Sequence, residues 1–468
     1  MVKNIFFSVV FVLGISSLLI AQAKPSDYDT DMLSAAFHAE KRQALRDKMD
    51  PNSVAVVFAN AERNRSNDVD YQYSQDPNFY YLCGYTEPNA VLIIFKDKQT
   101  IDSISTSEIL YVQPRDPLAE SWTGRRLGTD GAKKQLGIVN VYDNIDFHEL
   151  KLDFGQFDKI YHSTFNNDVR DDPNDAGDLF SLIKAFNERT EKVKNKKNAF
   201  SFNTAMSALR EIKSAEEMTL LKKAIDITCD AHADLMKSLD SNTTEYQAQA
   251  MVEFGFKFNG SEYVGYPSIV GGGENSCILH YVTNRKKLKD PELLVVDAGA
   301  EYHGYTADVT RTLPLSGKFT KDQKSVYDIV LKAQNAGIKA CKKGNNFRDP
   351  HTAAVEVIKK GLRELGIIKE PNEFGKYFFH GTSHYLGLDV HDAGTYGRLK
   401  PGSVITVEPG IYIPEGSPCD PKWWNIGIRI EDDVLITEED PEVLSGKLVK
   451  TTEEIEKMMA EQGIFKKK

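Results

Sequence analysis

The sequence has few cysteines and no surplus of positive charge. Its 468 residues include five cysteines and carry a formal net charge of -10. Without a basic surplus to neutralise phosphates, a nucleic-acid partner is not expected. The cysteines are odd in number, and their spacing resembles neither a disulfide framework nor a thiolate metal site. One or two disulfides could form in an exported protein, but we expect buried free thiols.

Long apolar runs are also absent, except at residues 5–20. This run follows Lys3 and precedes the small-residue sequence Ala-Gln-Ala at 21–23, which is typical of a signal peptide. The alternative is a membrane anchor, but the run is at the short limit of what spans a bilayer, and no cysteine follows it for lipid attachment. We predict a signal peptide over residues 1–23 and an exported protein, periplasmic or secreted, without a stable membrane anchor.

The remaining chain of about 445 residues is longer than one hydrophobic core normally serves, which predicts two domains. The first, residues 24–198, is interpreted as an α/β unit. Three Val- and Ile-rich runs in it have strand length: 53–58, 90–95 and 108–112. A basic run without apolar periodicity at 192–197 places the boundary there. The second domain, residues 199–468, starts with a helix, because Ser214 and Glu217 form a capping box.

The second domain contains a glycine triplet at 271–273. It does not match a phosphate-binding loop, because no Gly-Lys-Ser/Thr sequence or helical pattern follows it. We instead expect the glycines to precede a short apolar strand that delivers His280.

Four acidic residues lie at the ends or on the alternating faces of apolar runs between residues 293 and 431: Asp297, Asp308, Glu408 and Glu431. An unpaired buried charge costs several kcal/mol even after relaxation, so each of them requires a positive partner. Two divalent cations would neutralise four carboxylates, and we therefore expect a dinuclear metal centre.

The first two of these acids belong to a predicted hairpin. Asp297 ends the strand at 293–296, and alternation in residues 306–312 places Asp308 on one face of the next strand. Two adjacent carboxylates destabilise each other unless they share a proton or a cation. A shared proton would suit aspartic-protease chemistry, but that motif is absent, so a cation is the better interpretation.

Three histidines lie within residues 378–392: His380, His384 and His391. A single histidine is more often a core residue than a metal ligand. Three histidines close together, near glycines and after the acids at strand ends, favour a site in which one of them binds metal. The strands at 404–408 and 426–431 then present Glu408 and Glu431. For 426–431 alone, a half-exposed sheet with a surface Arg and Glu is an equally good interpretation.

The stretches that carry these residues also resemble a known family. They are DAGAEYHGYTADVTRT, HGTSHYLGLDVHD, TVEPGIY and GIRIEDD, and they resemble the aminopeptidase P (Xaa-Pro aminopeptidase) branch of the pita-bread metallopeptidases. DPNFYYLCGYTEPNAVLIIF in the first domain is similar to the signature of the aminopeptidase P N-terminal domain. The resemblance implies an α+β protein with a C-terminal pita-bread (creatinase/aminopeptidase) fold and a smaller N-terminal α/β domain.

The resemblance also implies individual roles. The implied metal ligands are Asp297, Asp308, His384, Glu408 and Glu431. The implied catalytic residues are Glu408, as proton relay, with His391, His380 and His280. The implied substrate-binding residues are Arg398, Arg429 and Tyr412. A ligand set of oxygens with one imidazole favours two Mn²⁺ ions, with Co²⁺ or Zn²⁺ as alternatives.

The activity that the resemblance implies is release of the N-terminal residue from peptides with proline in second position, by attack of a metal-bridging hydroxide. The bond before proline lacks an N–H, and the φ of proline is restricted, so peptidases that bind an extended peptide through its N–H groups bind it poorly. A specialised enzyme is therefore expected for this bond. Two alternatives stay open: a prolidase, which cleaves only the dipeptide, and a pita-bread binding module without catalysis. The family also leads us to expect a homo-oligomer, either a dimer or a tetramer.

Overall fold

The computed structural model describes residues 30–165 and 167–465, so the predicted signal peptide lies outside the described residues. The described residues from Leu33 onward form one compact unit. Within the described ranges, no helix combines the length and apolar character needed to cross a membrane.

Helices and strands alternate along most of the chain. The helices are α1 (Ala35–Lys48), α2 (Pro77–Cys83), α3 (Pro117–Thr123), α4 (Gly128–Leu136), α5 (Leu179–Thr190), α6 (Ala199–Arg210), α7 (Ala215–Ser238), α8 (Glu245–Phe258), α9 (Lys321–Ala340), α10 (Asp349–Glu364) and α11 (Thr452–Met459). The strands of the first half are β1 (Ser53–Phe58), β2 (Asn64–Ser66), β3 (Val69–Asp70), β4 (Val91–Ile101), β5 (Ile104–Val112), β6 (Val141–Asp143), β7 (Lys159–His162) and β8 (Lys197–Asn198). Those of the second half are β9 (Tyr263–Val264), β10 (Ile269–Gly272), β11 (Leu293–Ala298), β12 (Ala300–Tyr302), β13 (Tyr305–Thr306), β14 (Val309–Pro314), β15 (Val404–Val407), β16 (Gly410–Ile413), β17 (Ile426–Arg429), β18 (Asp432–Leu435) and β19 (Glu442–Val443).

The N-terminal part is organised around a six-stranded mixed sheet in the order β6-β5-β4-β1-β7-β8. The three predicted strands form its centre: β1 pairs antiparallel with β4, and β4 pairs antiparallel with β5. All six residues of β1 are buried, because helices and loops cover both faces of this central strand. The predicted α/β character is confirmed, while the domain boundary near residue 198 stays a prediction.

The C-terminal part consists of short antiparallel sheets covered by long helices. The sheets that matter for the site are β10-β11-β14, β15-β18-β19 and the hairpin β16-β17. Helix α7 packs on β12, β13 and β14, while α9 packs on β15, β16 and β17. The predicted capping box is present at the start of α7, where the Ser214 and Glu217 side chains each bind the other's backbone N–H.

Two glycines allow the chain to approach itself closely beside β11. A Cβ atom on Gly299 would lie 1.7 Å from the carbonyl oxygen of Ala307, and one on Gly265 would lie 1.6 Å from the Thr306 hydroxyl. No side chain fits at such distances, so only glycine permits this packing. The close approach holds the segment that carries Asp308 against the end of β11.

The five cysteines are free thiols, and the predicted burial is found for three of them. Cys83, Cys229 and Cys341 are buried, whereas Cys277 and Cys419 are partly exposed. Burial raises the pKa of the Cys83 and Cys229 thiols to about 12, so both stay protonated and behave as small apolar groups.

Candidate metal centre and active site

The first pair of acids meets at the end of β11. The strand is buried throughout and pairs antiparallel with β14, so that Asp297 lies opposite Thr310. Asp308 directly precedes β14. The hydroxyl oxygen of Tyr266 lies 2.5 Å from Oδ1 of Asp297 and 2.5 Å from Oδ1 of Asp308. The predicted hairpin and the predicted proximity of the two acids are therefore both present.

The second half of the site is assembled by an irregular segment that pairs with β15. The N–H of Thr406 donates to the His384 carbonyl at 3.0 Å, and the N–H of Glu408 donates to the Thr382 carbonyl at 2.9 Å. This pairing places the His384 Nε2 atom 3.5 Å from Oε1 of Glu408 and 3.3 Å from Oδ2 of Asp308. Histidine and acids from separate parts of the sequence thus face one another.

Glu431 joins the cluster from the two-residue link between β17 and β18, so the strand predicted over 426–431 ends before it. Its backbone N–H donates to the Thr310 carbonyl at 3.1 Å, and its Oε2 atom accepts a hydrogen bond from the Thr310 hydroxyl at 2.6 Å. One ligand atom from each of Asp308, His384 and Glu431 lies within 4.8 Å of the others. These three buried groups form the centre of the candidate metal site. Asp297 is linked to Asp308 through the Tyr266 hydroxyl, and Glu408 lies beside His384.

The electrostatics of the cluster require additional positive charge. Burial, followed by repulsion from Asp308, Glu408 and Asp297, raises the pKa of Glu431 well above its usual range. Burial likewise raises the pKa of Glu408 to about 7. Burial alone would lower the pKa of His384, but its contacts with Asp308 and Glu408 raise it to about 9. In the absence of a metal ion, these carboxyl groups and this imidazole take up protons to reduce the negative charge of the cluster. Bound cations would supply the same positive charge, so the site is suited to metal ions.

Two hydrogen-bonding details point the same way. The Nδ1 atom of His384 lies 3.0 Å from the Tyr385 carbonyl, which fixes Nδ1 as the protonated nitrogen and leaves the Nε2 lone pair facing two carboxylates. Tyr266 has a single hydroxyl hydrogen but lies 2.5 Å from two carboxylate oxygens. In both places, lone pairs face each other and repel unless a proton or a metal ion lies between them. Oxygen and imidazole nitrogen atoms are common ligands of divalent metals, so this set of donor atoms fits such ions.

Arg429 and Tyr412 form a buried polar wall beside the cluster. The Arg429 guanidinium donates to Oδ2 of Asp297 at 2.5 Å and to the Tyr412 hydroxyl at 3.0 Å. The Tyr412 hydroxyl also lies 2.9 Å from Nε2 of His380. Burial, with a further contribution from Arg429, lowers the pKa of His380 to about 3, so this imidazole is neutral.

A cavity of about 700 Å³ opens over these groups. Its polar lining residues include nine of the predicted site residues: His280, Asp297, Asp308, His380, His384, His391, Glu408, Arg429 and Glu431. Its apolar lining residues include Pro267, Ile269, Leu279, Val282 and Val390. The ring centroids of His391 and His384 are 4.1 Å apart. The cavity therefore has the size and the mixed lining of a small-ligand site.

Two expectations about individual residues do not match this geometry. His280 lies in a turn and not at the end of a strand, because the positive φ of Gly273 leads the chain into a 3₁₀ helix, Gly273–Cys277. Arg398 is exposed, donates to the Gly344 carbonyl at 2.7 Å and is not part of the cavity lining. The structure therefore places Arg398 away from the cavity, and its role in substrate binding stays a prediction.

Sequence reasoning missed Tyr266, which joins the two aspartates. Its only local signal is its position between Gly265 and Pro267, just before β10. It also missed the support behind Glu431, where Arg311 donates to the Glu431 carbonyl at 2.6 Å and to Asp432 at 2.8 Å. These are side-chain contacts between distant parts of the chain, and periodicity does not report them.

Two family models match the chain. The metallopeptidase family M24 matches residues 219–438, and the aminopeptidase P N-terminal domain matches residues 38–159. The class is therefore that of the M24 metallopeptidases, which act with divalent metal ions.

The similar proteins give the family within that class. The chain is 37% identical over 443 residues to the Xaa-Pro aminopeptidase of Escherichia coli (strain K12), covering 90% of this chain and 96% of the relative. It is 35% identical over 423 residues to human Xaa-Pro aminopeptidase 3, covering 88% and 81%. The structure of zinc-substituted E. coli aminopeptidase P in complex with product matches with a TM-score of 0.83 at 34% identity, covering 93% and 100%. The chain belongs to the aminopeptidase P (Xaa-Pro aminopeptidase) family and is a hydrolytic enzyme.

The predicted fold class is confirmed by these matches. The chain has the C-terminal pita-bread domain of the M24 metallopeptidases and the smaller N-terminal domain of aminopeptidase P.

Proposed function

We propose that this chain is a two-metal aminopeptidase that releases the N-terminal residue from peptides with proline in second position. The observation that carries the proposal is the convergence of Asp308, His384 and Glu431 within 4.8 Å, flanked by Asp297 and Glu408. We propose Mn²⁺ as the metal, with Co²⁺ and Zn²⁺ as alternatives, because oxygen ligands predominate and only one imidazole is present. When bound, the metal ions would lower the pKa of a water molecule and polarise the scissile carbonyl.

The chain's own residues provide the proton transfers. The Glu408 carboxylate lies at the edge of the cluster, 3.5 Å from Nε2 of His384, where it can act as a general base toward a water molecule. It would accept a proton as water adds to the carbonyl carbon. It would then return that proton to the proline nitrogen as the C–N bond breaks. Because this nitrogen carries no hydrogen before cleavage, the leaving group depends on the returned proton.

The histidines and the apolar wall would bind the substrate around the reacting bond. His391 lines the cavity beside His384, where an N–H can donate to the oxygen that becomes negative during the reaction, and His380 lines the same cavity. The apolar part of the lining, which includes Ile269 and Leu279, offers a surface for the pyrrolidine ring. The Nδ1 atom of neutral His380 donates to the Gly381 carbonyl at 2.6 Å, so its Nε2 atom accepts a hydrogen bond from the Tyr412 hydroxyl, which keeps that wall in place.

The substrate specificity can be tested with three peptides. Metal-loaded protein should release glycine from Gly-Pro-Leu, should cleave the Gly-Pro dipeptide much more slowly, and should leave acetyl-Gly-Pro-Leu intact because its N-terminus is blocked. Product analysis by chromatography measures all three reactions. A preference for the dipeptide would identify a prolidase, and no cleavage of any peptide would identify a binding module.

The Tyr266 hydroxyl should contribute to metal affinity. Tyr266→Phe removes the group that orients Asp297 and Asp308, and groups that orient metal ligands typically change affinity by about 10- to 100-fold. Calorimetric titration of metal-stripped protein with Mn²⁺ should show that the affinity of the variant for Mn²⁺ is lower by a factor in this range. Tyr327→Phe is the matched control, since that buried hydroxyl donates to the Lys450 carbonyl away from the ligands. Equal affinities for wild type and Tyr266→Phe would contradict the orienting role.

The cellular location and the assembly are also proposals. We propose export, with signal-peptide cleavage after residue 23, on the basis of the N-terminal sequence alone. We propose a homo-oligomer on the basis of the family. Mass spectrometry of the mature N-terminus and light scattering of the purified protein measure these two properties.

A further inference from the structure

A buried arginine connects the segment that carries His391 to the N-terminal part of the chain. Arg210, the last residue of α6, is 3% exposed. Its Nη2 atom donates to Oδ2 of Asp389 at 2.9 Å and also to Asp392, so it binds a carboxylate on each side of His391. Its Nη1 atom donates to Oδ1 of Asn78, in α2, at 2.9 Å.

A second cation completes this arrangement. The Lys213 ammonium donates to Oδ2 of Asp392 at 2.8 Å and to the Arg210 carbonyl at 2.9 Å. Burial opposes ionisation of Asp392, but Arg210 and Lys213 hold its pKa below the usual range. The backbone N–H of Asp392 donates to the Tyr385 carbonyl at 2.8 Å, beside His384. Charge pairing and backbone pairing therefore fix the same short segment.

The ring of His391 has little other support. Its neighbour is the His384 ring, and no side chain in residues 30–165 or 167–465 makes a hydrogen bond to it. The direction of the imidazole is consequently set by the backbone on either side, which Asp389 and Asp392 hold in place. A displacement of about 1 Å at a catalytic group can reduce the rate about 100-fold.

We propose that Arg210 is a positioning residue for His391, and that its bond to Asn78 makes the geometry of the active site depend on the N-terminal domain. The proposal rests on the function proposed above, in which His391 donates to the developing oxyanion. Arg210 itself touches neither the cavity nor the candidate metal ligands. Its effect should therefore be on turnover through His391 and not on metal content.

A double-mutant cycle on the full, metal-loaded chain tests this coupling. Arg210→Met should lower kcat for Gly-Pro-Leu by about 10- to 100-fold in the wild-type background. In the His391→Ala background the same change should have almost no further effect, because the group being positioned is gone. The variant should fold, since Lys213 still pairs with Asp392 and no buried carboxylate is left alone.

Three further variants separate positioning from general stability. Arg210→Lys should recover part of kcat, because a lysine can bind one of the two aspartates. Asn78→Ala should lower kcat by a smaller factor than Arg210→Met. Arg46→Met is the matched control: Arg46 is 9% exposed, and its guanidinium binds Gln43 and Glu108, which belong to neither α2 nor this segment, so its loss should leave kcat unchanged.

The result that overturns the proposal is an equal fall in kcat in both backgrounds, or unchanged kcat in Arg210→Met. If wild type cleaves no Xaa-Pro peptide, the proposed function fails, and positioning is then judged by hydrogen exchange. The backbone amides of residues 385–392 should exchange faster in Arg210→Met than in wild type or Arg46→Met. Equal exchange in all three proteins would overturn the positioning role.

Discussion

Glu408→Gln should lower kcat for an Xaa-Pro tripeptide by about 10²- to 10⁴-fold, the range typical for loss of a general acid–base group. Glutamine has nearly the same shape and keeps the backbone bond from the residue 408 N–H to the Thr382 carbonyl, so the fold should be retained. It cannot accept a proton from water or return one to the proline nitrogen. Because the defect lies in proton transfer, kcat should fall much more than KM changes. Steady-state kinetics on Gly-Pro-Leu with saturating Mn²⁺ provides the measurement.

Glu415→Gln supplies the matched control for that experiment. Glu415 follows β16, seven residues from Glu408, and is exposed to solvent. The same chemical change there should leave kcat and KM within experimental error of wild type. If Glu408→Gln retained near-normal turnover at full metal content, Glu408 would not be the proton relay.

Glu431→Gln should abolish the stabilisation of the protein by metal without destabilising the metal-free protein. Burial raises the pKa of Glu431 well above its usual range, so the metal-free fold holds this carboxyl in its neutral form, which glutamine resembles. A metal ion needs the ionised carboxylate, which glutamine cannot provide. Melting temperatures in chelator should therefore be at least as high as those of wild type, whereas the rise on adding Mn²⁺ should be lost together with activity. At a metal concentration of 100 times Kd, that rise corresponds to about 2.7 kcal/mol for one site.

The same substitution should change the pH dependence of the metal-free protein. Since the folded pKa of Glu431 is raised, the folded chain retains a proton that the unfolded chain releases once pH exceeds the ordinary glutamate value. This group therefore stabilises the fold at low pH and loses that contribution as pH rises above the unfolded value. Glu431→Gln should flatten this part of the stability profile, as measured by urea unfolding in chelator.

Glu439→Gln is the corresponding control, because Glu439 is exposed and lies eight residues further along the chain. It should keep the wild-type response to Mn²⁺. A Glu431→Gln protein that still gained the full metal-dependent stabilisation would remove Glu431 from the ligand set.

The sequence allowed prediction of the acid cluster because its signal is local. A charged residue at the end of an apolar strand, as at Asp297, requires compensation wherever the strand lies in the fold. Alternation also placed Asp308 correctly beside it, although the regular strand begins only at Val309. The choice of His384 among three histidines came from family resemblance, and the distances of 3.3 and 3.5 Å to Asp308 and Glu408 agree with it.

Contacts between distant segments were beyond the reach of sequence patterns. Tyr266 meets Asp308 across 42 positions of sequence, and Arg210 meets Asp392 across 182. Neither residue stands out by periodicity or by a motif. The strand expected at His280 failed for a different reason: the apolar run there is short, and Gly273 turns the chain before pairing can continue.

The close approach at Gly299 extends the functional site to a position that has no side chain. At 1.7 Å from the Ala307 carbonyl oxygen, a single added methyl group would act as a wedge between the segments that bring Asp297 and Asp308 together. A substitution that alters neither charge nor any ligand could thus inactivate the enzyme by separating its two aspartates. Positions where a side chain does not fit, such as Gly299, consequently limit which mutations this chain tolerates, in addition to the positions that supply functional groups.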